Sequence, residues 1–248
     1  MNLPYPNGVK GHMLTAIMVM VVLVGGFYAV GALNASTVAA ADVCPAGFQY
    51  IPSGGLNAGS GACARLTVVI NHQEATYANP ALLAEGFTAS CLVNCNGVIY
   101  TLDPTVLITN SGHDFEQCKV YGSAGSITCT SGDSAVIIGL SESATTPATG
   151  DTSGSGPCKV TSPSNELTSG GLADAAGTVS PGVSSATVTT TIAHTFTAAE
   201  TDSSVQVACL QTELHSGGNV IIYAEGTFGP DSLVLGNTIA ITWTVART

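Results

Sequence analysis

Charge is what this sequence has least of: Asp, Glu, Lys and Arg together make up 8% of its 248 residues. Lys and Arg number 5 against 16 acidic residues, for a formal net charge of -11. The basic residues Lys10, Arg65, Lys119, Lys159 and Arg247 are scattered, so no basic patch exists to neutralise phosphates and nucleic acid is excluded as a direct partner. Catalytic signatures are missing too. There is no G-x-S-x-G, no H-E-x-x-H and no P-loop, and the Gly-rich patches lack a following Lys. The expectation is a non-enzymatic chain with no cofactor, kept soluble largely by Ser, Thr, Asn and Gly.

Acidic residues are absent before Asp42, and Lys10 is the sole basic residue before Arg65. Between these charges, Met13 to Leu33 (MLTAIMVMVVLVGGFYAVGAL) is uncharged. As a helix it would extend ~31 Å, about one bilayer core. The positive-inside tendency then places residues 42–248 outside the cytoplasm. Three readings of this N-terminus stay open. One is a secretory signal cut near Val38-Ala39-Ala40-Ala41. The second is a permanent single-span anchor. The third begins at Lys10-Gly11: a short polar leader ending in Lys-Gly before a long uncharged helix resembles the class III signal of archaeal type IV pilins. That resemblance implies cleavage between Gly11 and His12, a leader of residues 1–11, and a hydrophobic helix of residues 12–41. In that family the helix packs with its copies as a filament core. Met13, Ile17 and Val21 would face neighbouring helices, and Gly25, Gly26 and Gly31 would permit close approach.

All eight cysteines, Cys44, Cys63, Cys91, Cys95, Cys118, Cys129, Cys158 and Cys209, follow the apolar segment. An even count in an exported body reads as disulfides. Loop closure favours Cys44 with Cys63 and Cys118 with Cys129. Cys91-x-x-x-Cys95, with His113 and Cys118 nearby, offers zinc ligands as the less favoured alternative, so no metal is expected. His113-Asp114-Phe115-Glu116 reads as part of a short surface helix. His194 is expected to be hydrogen-bonded and partly buried, and His72 and His215 have no evident partners. Asp133, Asp151, Asp202 and Asp231 read as solvated turn residues, without the alternating pattern of a calcium loop. The N-x-S/T sequon Asn34-Ala35-Ser36 lies at the end of the apolar helix.

Residues 42–64 are rich in turn signals and read as a cysteine-bearing neck. Beyond them, 66–70, 98–102, 105–109 and 135–140 are short β-like runs, with at most short helices at 80–85 and 111–120. Alternation is clearest near the C-terminus. Val188, Thr190, Ile192, His194 and Phe196 share one face of a strand, and Thr187, Thr189, Thr191 and Thr195 the other. Thr238 to Val245 repeats this with Ile239, Ile241, Trp243 and Val245 inward, and 205–210 and 220–227 complete the set. The expected fold is mainly β: an Ig-like antiparallel β-sandwich head over residues 65–248.

The series Thr109-Asn110-Ser111-Gly112-His113, Ala144 to Thr152, Asn165-Glu166-Leu167, Gly177-Thr178-Val179, His194 to Ala198 and Thr242-Trp243-Thr244-Val245 resembles a β module of phage tail and virion-associated proteins and archaeal surface proteins. Over roughly residues 105–248 it implies one continuous domain, with the Ser/Thr/Gly/Pro-rich stretch after Leu140 as an ordered surface loop. Together the resemblances imply a subunit of an extracellular homopolymeric filament, partnered by itself and by the membrane before assembly. The head would serve adhesion or surface coverage. The alternative is a membrane-anchored binding module or virion structural protein presenting the same domain singly.

Overall fold

In a computed structural model of the chain, the described residues are 44, 48–51, 62–94, 96–121, 123–124, 127–183, 188–213 and 220–247. The expected leader and apolar helix, with Gly11, His12, Met13, Ile17, Val21, Gly25, Gly26 and Gly31, lie outside them, as do Cys95, His215 and most of the neck. Among the described residues, no helix is long and apolar enough to cross a membrane.

The strands follow the alternation of the sequence. In β14 (Thr238–Arg247), Ile239, Ile241 and Trp243 are completely buried. β14 lies between β2 (Ala62–His72) and β11 (Val188–Thr197), with Trp243 opposite Leu66 on one side and Ile192 on the other. β1 (Gln49–Ile51) and β4 (Gly97–Leu102) share the other edge of β2, β3 (Thr88–Leu92) flanks β4, and β10 (Thr178–Val183) flanks β11. A second antiparallel sheet runs in the order β5 (Val106–Ile108), β13 (Ile222–Leu233), β12 (Asp202–Glu213), β8 (Ser134–Ser141), β9 (Ala175–Ala176). The short hairpin of β6 (Ser123–Ala124) and β7 (Ile127–Thr128) stands apart. One buried apolar cluster joins Leu66, Val68, Ile241 and Trp243 of the first sheet to Ile138, Leu140, Leu210 and Phe228 of the second. The body is therefore mainly β, with two antiparallel sheets stacked on a shared core.

Two short helices connect strands. α1 (Pro80–Ala84) is capped by Asn79, whose side chain accepts from the Ala81 amide at 2.9 Å, and it buries Leu82. α2 (Asn110–Tyr121) lies against β13 so closely that a Cβ on Gly112 would stand 2.3 Å from the Tyr223 carbonyl oxygen. Only glycine fits there. At Tyr223 the β12–β13 register shifts, since Leu210 faces Ala224 while Gln211 faces Ile222. This bulge turns both Tyr223 and Ala224 into the core.

The expected pairings Cys44–Cys63 and Cys118–Cys129 are present, with Cα separations of 5.7 and 6.0 Å. Cys158–Cys209 is a further bridge, and Cys91 is also disulfide-bonded. Val188 departs from expectation: placed on the inward face, it is 54% exposed, at the end of the sheet where it pairs with Arg247, the last residue of β14. β1, β3 and β10 were not evident as strands. β1 lies in the turn-rich neck, while β3 and β10 are the sheet's edges, where polar residues and, in β10, Pro181 are tolerated.

Replacing Ile241 by Ala, at the centre of the buried face, should cost about 2–5 kcal/mol. Chemical denaturation with an unchanged slope would register the loss as a lower midpoint.

Candidate functional site

The second sheet is covered on its outer face as well as its inner one. Residues 142–174, between β8 and β9, lap across β8, β12 and β13 as a strap. Its middle is tied down by the Cys158–Cys209 disulfide. Cys158, Val207, Cys209 and Ile222 form a small apolar cluster beneath it. Polar anchors flank the cluster: Ser141 Oγ contacts the Pro157 and Asn165 carbonyls at 2.7 and 2.8 Å, the Asn165 side-chain amide donates to the Gly156 carbonyl at 2.8 Å, and the Leu167 amide donates to the Leu140 carbonyl at 2.8 Å. The Ser/Thr/Gly/Pro-rich stretch is thus an ordered loop.

Within this covered face, Gly139, Cys209 and Glu225 stand in one row across β8, β12 and β13. Gly139 leaves a hole where a side chain would project. Glu166 Oε1, Asp174 Oδ1 and Gln211 Nε2 fill it, lying 2.6, 2.8 and 2.8 Å from where a Cβ would stand. The Gln211 amide donates to Glu166 Oε1. Asp174 is exposed as a residue, yet it brings a carboxylate oxygen into this hole. On the other side of Cys209, Glu225 is fully buried and accepts one bond from the Cys158 amide at 3.3 Å. Among the described residues, its second oxygen meets no N–H or O–H donor. The neighbour it does have is the Asp151 carboxyl, a contact that becomes a hydrogen bond only when one of the two carries a proton.

Electrostatics follow from this crowding. Burial, the charge of Asp174 and its shared hydrogen bond, and the charge of Glu225 push Glu166 up to about 9. Burial and then Asp151 push Glu225 up to about 8, against the opposing Cys158 amide. Burial raises Asp174 in spite of hydrogen bonds from Glu166, its own backbone and Gln211. Cys158, Glu166 and Cys209 offer ligand atoms within 4.8 Å of one another. The two sulfurs are joined in a disulfide, so this trio is not a thiolate metal centre.

Two other features lie on the shared core. A cavity of about 210 Å³ opens among Phe115, Ile192, Leu210 and Tyr223, with Glu116 and Lys119 among its lining residues. The Tyr223 hydroxyl donates to Glu116 Oε1, and Lys119 Nζ donates to the Thr130 and Ser131 carbonyls. Elsewhere, His72 Nε2 lies 3.0 Å from Asp231 Oδ2 and its Nδ1 3.9 Å from Glu74 Oε1, with the ring edge-on to Tyr100. Burial pushes the His72 pKa down, but the hydrogen bond and charge of Asp231, then Glu74 and Asn237, outweigh it and hold it above 6.5.

Several expectations are corrected by these placements. His72 has partners, which sequence reading missed because Asp231 is 159 residues away. Asp231 is 4% exposed within β13, Asp202 begins β12, and Asp133 is buried against the Thr130 amide at 2.7 Å; of the four turn acids, Asp151 is the one in a partly exposed loop. His113 is buried on α2 rather than on its surface, and burial lowers its pKa against the pull of Glu116 and Asp114. His194 is half-buried and packs against the Phe196 ring, centroids 4.5 Å apart, with no side-chain hydrogen bond among the described residues. Glu166, Asp174, Gln211 and Glu225 were missed as a group. Their one local signal is an acid, Glu225, inside the apolar run Ile221-Ile222-Tyr223-Ala224 and its continuation.

Comparison with protein-family models, curated proteins and solved structures found no match.

Titrating the His72 ring by NMR should give a pKa above 6.5, and Asp231→Asn should bring it down. Because the folded value is the raised one, this pair's stabilisation is complete below 6.5 and is lost as pH rises through the folded value.

Proposed function

We propose that the chain is the structural subunit of an extracellular homopolymeric filament, with residues 12–41 as its helical core and the Ig-like β-sandwich as its exposed head. The observation that supports this reading most directly is the Cys44–Cys63 staple. Cys44 stands where the chain enters the head, and Cys63 lies in β2, which is hydrogen-bonded to β14 along one edge and to β1 and β4 along the other. Tension arriving through the N-terminal segment is therefore delivered covalently into an interior strand rather than a peelable edge. A head that hangs from a filament by its N-terminus needs that load path.

The rest of the head agrees in kind. Among the described residues no cysteine is free, as suits an oxidising exterior. The charge-poor, hydroxyl-rich sequence limits repulsion between closely packed copies. Adhesion or surface coverage is the role of the head in this reading, the partner is another copy of the chain, and the membrane holds the subunit before assembly.

Intact-mass analysis with N-terminal sequencing of the protein recovered from the cell surface tests the proposal. A mature chain starting at His12 is the expected result. A start near Asp42, or retention of Met1 or its neighbours, would overturn the helix-cored filament in favour of a secreted or singly anchored module.

A further inference from the structure

We infer that residues 142–174 are a proton-locked strap: Glu166 with Asp174, and Glu225 with Asp151, close as carboxyl pairs that each need a proton, seating the strap on the sheet in acidic surroundings and loosening it as the protons leave. The inference is independent of filament assembly.

The geometry sets the requirement. Three of the four carboxyls belong to the strap, Asp151 on one side of the Cys158–Cys209 disulfide and Glu166 and Asp174 on the other, while Glu225 projects from β13 beneath. The disulfide pins the middle, so the pairs seat the two flanks. Glu225 is fully buried and Glu166 is 7% exposed, positions where two adjoining negative charges cannot both persist without compensation.

Among the described residues, compensation is not supplied by the surroundings. On the strap, Lys159 is half-buried and forms no ion pair among the described residues; its backbone carbonyl is bonded to Asn165 and Ser164. On β12 the facing polar group is the neutral Gln211; on β8 it is Gly139 and Ser141, with Glu142 exposed at the strand's end. β5 and β9 bring no charge. The donors that do reach the four carboxyls are the Ala148 amide to Asp151 at 2.7 Å, the Cys158 amide to Glu225, the Gln211 side chain, and the backbone of Asp174 itself. None is a cation. A proton shared within each pair converts repulsion into a hydrogen bond and gives the Glu225 oxygen, otherwise without a donor, its partner.

The direction of the pH effect follows. Glu166 and Glu225 ordinarily titrate near 4.5 and in the fold hold their protons to about 9 and about 8. The folded protein thus binds more protons than the unfolded chain across that interval. The strap's contribution is fully present below about 4.5 and is lost as pH rises through about 8 to 9.

Hydrogen exchange on the full chain with disulfides intact, corrected for intrinsic exchange rates, tests this. The reporters are the strap amides of Val160, Asn165 and Leu167, bonded to the Ser153, Lys159 and Leu140 carbonyls. Their protection should fall by about ten-fold or more between pH 4.5 and pH 9, while β14 amides hold theirs. The Glu166→Gln/Glu225→Gln chain keeps the shape of each pair without a titrating proton, so its strap protection should be flat across the interval. Asp151→Asn/Asp174→Asn neutralises the other member of each pair and should flatten it too, a check should the first variant fold poorly. Protection in the native chain that does not change with pH, or that falls equally in the variants, would overturn the inference. So would recovery of full protection above pH 8 on adding calcium ions alone, since the carboxyls would then be holding a cation.

Discussion

The fold depends on covering both faces of β12. From Val205 to Thr212 nearly every residue of this strand is buried, because Ala208 and Leu210 face the core shared with the first sheet while Val207, Cys209 and Gln211 face the strap. A sheet that would ordinarily present one wet face instead sits between two dry layers. Everything on its outer side follows from that: the disulfide that holds the cover down, the absence of a side chain at Gly139, and the confinement of carboxyls with few donors. On the first sheet, the outward positions of β11 and β14 include Thr189, Thr191, Thr195, Thr242 and Thr244, which are half-buried or exposed.

Burial of this kind replaces charge as the means of specifying structure. Among the described residues the ion pairs are Arg65–Asp103, in which the two are also hydrogen-bonded, and the contacts of His72 with Glu74 and Asp231. The Thr67 hydroxyl donates to the same Asp103, and burial raises the Asp103 pKa less than these hydrogen bonds and the Arg65 charge lower it. Many other polar groups are held by neutral hydrogen bonds, as is the Ser141 hydroxyl between two carbonyls. Such contacts are short-ranged and directional, so they fix loop conformation where diffuse charge would not.

What could be read beforehand follows from how local each signal is. β14 and β11 were legible because alternation over ten residues is carried by adjacent side chains. The Cys44–Cys63 and Cys118–Cys129 loops were legible because their closure spans only 19 and 11 residues, whereas Cys158–Cys209 spans 51. β12 showed as an apolar run, but nothing in that run says which element lies over its second face. The edges β3 and β10 were hidden by the polar residues and proline that keep edges from pairing further. The carboxyl cluster and the His72–Asp231 pair assemble residues from separate strands and from a loop whose composition looks like a linker. Such sites exist only once the topology brings them together.

The scarcity of charge also bears on how the surface meets its medium. Where binding or repulsion between molecules is carried by ions, added salt rescales it, because screening shortens the reach of every exposed charge to about 8–10 Å at moderate ionic strength. With 16 acidic residues against 5 basic ones, salt acts on this body mainly by screening like-charge repulsion, because few opposite-charge pairs exist for it to weaken. Its hydroxyl- and threonine-rich faces meet water, neighbours and solutes through contacts that read shape and hydrogen-bond geometry, and those contacts are nearly the same in dilute water as in brine.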